Sequence, residues 1–120
     1  MREFIGVREG NMTDVIYNVT VNVSEEIHDE WLSWMRQSHI PEVLACGLFK
    51  RALLMRVHAF EQGGLTYAAQ YTAGSMADYE RYLKDFAPKL RAQTEALYGD
   101  QVHAFRTMLE VLESFDVSAQ

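Results

Sequence analysis

The sequence predicts an α+β fold, a four-stranded antiparallel sheet with its helices on one face. Three observations carry that prediction. Val15–Val23, VIYNVTVNV, alternates cleanly between two faces. The strand and helix patterns follow in the order βαββαβ. Each half repeats one sub-order: strand, helix, Pro break, short helix, Gly, strand. Two split βαβ units joined by one hairpin make a ferredoxin-like arrangement.

In Val15–Val23, the residues Val15, Tyr17, Val19, Val21 and Val23 share one face, and Ile16, Asn18, Thr20 and Asn22 share the other. Alternation rich in β-branched residues reads as a strand with one buried side. Ser24 suits a helix N-cap, and Glu25 and Glu26 lie where the helix dipole favours negative charge. Ile27, Trp31, Leu32, Trp34 and Met35 form an apolar helical stripe running to about Gln37 or Ser38. Pro41 restricts Ile40 to extended geometry, which predicts a break there. Pro41 then opens a short helix, PEVLA, and Gly47 ends it.

Leu48–Phe60 reads as the second strand. Phe49, Leu53, Met55 and Val57 are expected toward the helices, and Lys50, Ala52, Leu54, Arg56 and His58 away from them. Glu61–Gly64, EQGG, is a hairpin turn signal, and Leu65–Thr72 is the return strand. Ser75-Met-Ala-Asp78 has capping-box spacing ahead of a long helix. Pro88 predicts a break at Ala87 and a restart, and Gly99 ends the second helix. Val102–Glu113 reads as the last strand, with Phe105, Leu109 and Val111 toward the helices and Arg106 and Glu110 away. Residues 1–13 read as a flexible N-terminal extension, residues 14–113 as the domain, and residues 114–120 as a C-terminal tail.

Composition narrows the function. A chain of 120 residues fits one domain. The net charge of −6 argues against a broad phosphate-binding surface, and so against nucleic acid as a partner. One Cys gives no disulfide framework. No apolar run reaches the ~18–20 residues of a membrane span, and the N-terminus lacks a secretory pattern, so the expected location is cytoplasmic.

The order βαββαβ, with WLSWMRQSHIPEVLACGLF leading from the first helix into the second strand, resembles the dimeric α/β-barrel superfamily. The strand YNVTVNV, the WLSWM…HIPEVL helix, the QYTAGSMADYERYL segment and the closing AFRTMLEVLE strand are similar to an uncharacterised bacterial family of small proteins, filed as a domain of unknown function. The resemblance spans about Val15–Leu112. It implies a homodimer whose two sheets close into a barrel with helices outside. It carries no established reaction and no catalytic residue. A sheet face bearing apolar residues independently invites a second copy related by two-fold symmetry.

The candidate ligand-binding residues are Asn18, Asn22, Arg56, Gln70 and Arg106, expected to project together from the uncovered face into a barrel lumen, with Lys50 and His58 adding positive charge. A polar network without a ligand accounts for the same residues. His39, at a helix end, is a candidate proton-transfer group or a cap on exposed carbonyls, and His58 is the second weak catalytic candidate. Cys46 in its apolar run reads as packing rather than as a nucleophile. His28, beside Asp29 and Glu30, reads as solvated helix surface. The scattered histidines show no metal-ligand spacing, and no cofactor is expected. Two functions remain open: a dimer binding a small polar or anionic organic molecule, and a cofactor-independent oxygenase or isomerase.

Overall fold

The structure is a computed structural model that describes residues 5–7, 13–58 and 63–118. After β1 (Ile5–Val7), strand β2 (Val15–Val23) forms the centre of the fold. Its odd-numbered residues include Val15, Tyr17, Val21 and Val23, all buried. Ser24 caps the turn that follows, its Oγ accepting from the Glu26 N–H at 3.4 Å.

The first helix is continuous. It runs through α1 (His28–Trp34), a π-helical turn at Met35–His39 and α2 (Ile40–Leu44). The predicted break before Pro41 is absent. The Ile40 N–H donates to Met35 O, five residues back. Widening the helix to π geometry just before Pro41 accommodates a ring that would clash with an ordinary α turn. Gly47, at φ 82°, closes α2.

Strand β3 (Phe49–Arg56) pairs with β4 (Leu65–Ala73) and contains a bulge. Phe49 lies opposite Ala73, while Arg51 lies opposite Thr72, so Lys50 is the extra residue. One inserted residue exchanges the two faces for the rest of the strand. Ala52, Leu54 and Arg56 therefore oppose Tyr71, Ala69 and Tyr67 on the helix side. This reverses the expected assignment, and Leu53 and Met55 point away from the helices. The Lys50 ammonium reaches buried Asp14 at 2.6 Å, which tethers the bulge to the start of β2.

Of the predicted hairpin turn, Glu61 and Gln62 lie outside the described residues, as do Ala59 and Phe60 of the expected second strand. Gly64, at φ 70°, tolerates no side chain: a Cβ there would lie 2.6 Å from Asn22 Oδ1.

Ser75 Oγ accepts from the Asp78 N–H at 3.1 Å and starts α3 (Met76–Asp85). The break falls at Phe86, and α4 (Ala87–Tyr98) places Pro88 in its first turn. Strand β5 (Val102–Glu110) then pairs with β2. Val102 sits opposite fully buried Val23, which turns the even-numbered residues of β5 inward. Arg106, opposite Val19, faces the helices, and Phe105, opposite Thr20, faces away. The expected faces of β5 are thus also reversed. Past β5, β6 (Phe115–Val117) pairs with β1, so a short two-stranded ladder joins the segments read as N-terminal extension and C-terminal tail.

The main sheet has four strands, all antiparallel, in the order β3-β4-β2-β5. The core lies on one side of it. Trp31, Met35 and Val43 from the first helix, Tyr82 from α3 and Leu90 and Tyr98 from α4 meet Tyr17, Val21, Tyr67 and Tyr71 from the sheet. No helix among the described residues covers the other side. Its centre is polar, and its rims carry Leu53 (53% exposed) on β3 and Phe105 (65%) and Leu109 (42%) on β5. No helix among the described residues is long and apolar enough to cross a membrane.

Candidate functional site

The fold divides the predicted binding residues between the two sides of the sheet. Asn18, Asn22 and Gln70 stand on the uncovered side, where Asn18 pairs in register with Gln70. Asn18 Nδ2 donates to Thr20 Oγ1 at 3.2 Å, and Asn22 Nδ2 donates to Thr66 Oγ1 at 3.1 Å. Arg56 and Arg106 lie on the helix side, at opposite edges of the sheet. Arg56 sits over the Tyr67 ring, 5.5 Å from its centroid. His58 is exposed beyond the end of β3. His28 leaves the helix surface expected for it: its Nε2 hydrogen-bonds the Tyr67 hydroxyl at 2.6 Å.

The helix side holds a more concentrated arrangement. A cavity of about 50 Å³ lies between the sheet and the helices. That is room for a few water molecules, each needing ~10–15 Å³ by the same measure, or for a small head group. Val21, Val43 and Leu90 supply apolar wall. The polar groups are Tyr17 from β2, Tyr71 from β4, Tyr82 from α3, His39 from the π turn, Arg91 and Thr94 from α4, and Arg106 from β5. Arg91, Thr94 and Arg106 also line an open groove between α4 and the β5 edge, together with Glu95 and His103. The two guanidiniums therefore stand between the cavity and an accessible surface.

Their geometry converges on one atom. Arg91 Nη2 donates to the Tyr17 hydroxyl oxygen at 3.2 Å, and Arg106 Nε donates to the same oxygen at 3.1 Å. Tyr17 is buried, and its ring lies against those of Tyr71, Tyr79 and Tyr82 at centroid distances of 5.9, 5.8 and 5.5 Å. Among the described residues, no Asp or Glu lines the cavity. Neither guanidinium forms an ion pair among the described residues.

Two further polar atoms complete the set. The Tyr71 hydroxyl and His39 Nδ1 are shut off from solvent, with no hydrogen-bond partner among the described residues. Burial raises the Tyr71 phenol well above its ordinary pKa, and the neighbouring Tyr82 and Tyr17 add to the rise, so it stays a neutral donor. Burial lowers the pKa of His39. Glu42 opposes that shift and the Arg106 charge reinforces it. His39 is held in place by the Trp34 indole, stacked at 4.8 Å, and Trp34 in turn meets the Tyr98 ring edge-on at 5.4 Å.

The site is thus rich in donors and poor in acceptors. Each guanidinium carries five N–H donors, and together they spend two on Tyr17. Such an arrangement can hold an anion and can move a proton through His39. Sequence reading missed Arg91 and Tyr17. Arg91 follows core residue Leu90, on the flank of a helix whose polar positions read as surface, and Tyr17 belongs to an apolar stripe that reads as core. Among the described residues, no group of three or more His, Cys, Asp or Glu is placed to hold a metal ion. Cys46 is half-buried and packs against the core.

The chain belongs to the family described as Domain of unknown function (DUF4286), whose model matches residues 14–112. No curated protein and no solved structure matches it.

Proposed function

Since family membership brings no assigned activity, we propose a function from the site itself: the protein is a homodimeric α/β barrel that binds a small polar or anionic organic molecule. The strand order β3-β4-β2-β5 suits a ferredoxin-like half barrel, in which each helical connection skips one strand. The uncovered face supports pairing with a second copy, because Leu53, Phe105 and Leu109 hold apolar surface in water at its rims.

The observation that carries the binding function is the convergence of Arg91 and Arg106 on the Tyr17 hydroxyl, at the mouth of a cavity that no carboxylate among the described residues lines. The site differs from the one expected in a barrel lumen. It lies on the helix side of each sheet, and Asn18, Asn22 and Gln70 belong to the dimer-facing side.

Denaturing the purified protein and analysing the released small molecules by mass spectrometry tests this reading. One organic compound released in stoichiometric amount supports it. Protein that releases nothing, and whose melting temperature no member of a metabolite panel raises, contradicts it.

A cofactor-independent oxygenase or isomerase is the second reading. It rests on His39, which lines the cavity from a π turn, a feature common at functional sites, and whose Nδ1 has no hydrogen-bond partner among the described residues. Turnover of the released compound that disappears in a folded His39→Ala variant would favour it.

A further inference from the structure

We infer that the Arg91–Arg106 pair receives the carboxylate of a small organic acid, and that His39 takes up a proton as the acid binds. This rests on the small-molecule reading above and gives it a ligand class and a proton balance. Three features select the class. The donors at the site outnumber its acceptors, so a ligand group must be acceptor-rich. The donors are guanidiniums, whose planar forks match a carboxylate with two parallel hydrogen bonds. The cavity beside them is about 50 Å³ and largely apolar, which admits a planar head group better than a hydrated phosphate dianion. The body of the acid then lies in the α4/β5 groove beside Thr94 and His103, and its carboxylate is set at the arginines and away from Glu95, which lines the same groove.

The Tyr17 oxygen occupies the position of a carboxylate oxygen, since it accepts from both arginines. An incoming carboxylate competes for those N–H groups and can accept from the Tyr71 hydroxyl, which has no partner among the described residues.

The proton follows from the charges around His39. Glu42 faces it from its own helix and Arg106 from β5. Arg91 and Tyr82 reach the same cavity from α4 and α3, and Tyr17 and Tyr71 from the sheet. The arginines are the cations in that set. Without a ligand, burial and the Arg106 charge keep the ring neutral near pH 7. A bound carboxylate offsets the arginine charge and offers the imidazolium a counter-ion. The complex then holds more protons than the free protein, so affinity rises as pH falls through the window between the two His39 pKa values.

The test is calorimetric titration of the dialysed protein with acetate, butyrate and benzoate, each against its amide, from pH 5.5 to 8. Repeating it in two cationic buffers of different ionisation enthalpy counts the protons. At least one acid is expected to bind tenfold or more tightly than its amide, with up to one proton taken up. Arg106→Gln and Arg91→Gln should each weaken binding at least tenfold, with circular dichroism confirming their fold. His39→Gln should abolish the proton uptake and flatten the pH dependence.

Equal affinity for acid and amide, tighter binding of inorganic phosphate, or binding with no proton uptake would overturn the inference while leaving a small-molecule site standing. No binding of any probe, from a protein that also releases no compound on denaturation, would overturn both.

Discussion

Removing the Tyr17 hydroxyl separates the two roles assigned to it. Tyr17→Phe keeps the ring against Tyr71, Tyr79 and Tyr82 and deletes only the oxygen that accepts from Arg91 and Arg106. Hydrogen bonds to charged groups contribute ~1.5–3 kcal/mol each when sheltered. Both arginines are partly exposed at the groove, so their freed N–H groups rehydrate and most of that loss is recovered. The expected net destabilisation is ~1–2 kcal/mol, or about 4–8 °C in melting temperature for a domain of this size. If the oxygen stands in for a ligand carboxylate, the variant should bind organic acids as tightly as the parent protein or more tightly, and added acid should restore its melting temperature. Thermal melts with and without benzoate, alongside calorimetry, measure both effects. A Tyr17→Phe protein that melts with the parent and loses acid binding would refute the reasoning, because Tyr17 would then contact the ligand rather than hold its place.

Three other predictions concern the frame around the site. Lys50→Met leaves the buried Asp14 carboxylate without its cation and should cost ~2–3 kcal/mol in urea unfolding, more than a surface pair gives. In the proposed two-fold dimer, Phe105→Glu places a charge on the paired face twice; at ~2 kcal/mol per copy it should raise that dimer's dissociation constant roughly a thousandfold, read by sedimentation. The depressed pKa of His39 makes the ligand-free fold lose stability as pH falls below the unfolded value of 6.5, because the unfolded chain then binds the extra proton. Melting temperature should therefore decline from pH 7 to pH 5, and His39→Gln should lessen the decline.

Much of the frame was legible in local patterns. The alternation in Val15–Val23, the Ser24 and Ser75 caps and the break ahead of Pro88 are each decided by a few neighbouring residues. Counting faces along a strand is less secure. A period of two survives only while no residue is inserted, and Lys50 is inserted. Its signal was the pairing of a lysine in a strand with an aspartate far away in sequence, which local pattern does not reveal. On β5 the apolar residues were assigned to the helix side because one buried face was assumed. Phe105 and Leu109 instead point outward, as a sheet with a second surface to cover would require. That reversal moved Arg106 from the predicted lumen to the Tyr17 hydroxyl. The partnership with Arg91 depends on α4 crossing the β5 edge, a tertiary contact with no local signature. Pro41 was over-read for a related reason: an isolated helix breaks before proline, but one packed by Trp31, Met35 and Val43 widens to π geometry and continues.

The central claim is that a pair of arginines on the helix side of the sheet holds an organic acid in a dimeric protein. Native mass spectrometry of the purified protein and of its Arg106→Gln variant tests it most directly. The account predicts a dimer that takes up an added carboxylic acid, one molecule per chain, and a dimeric variant that does not. A monomer at micromolar concentration would contradict the barrel, and a variant that takes up the acid as fully as the parent would contradict the site.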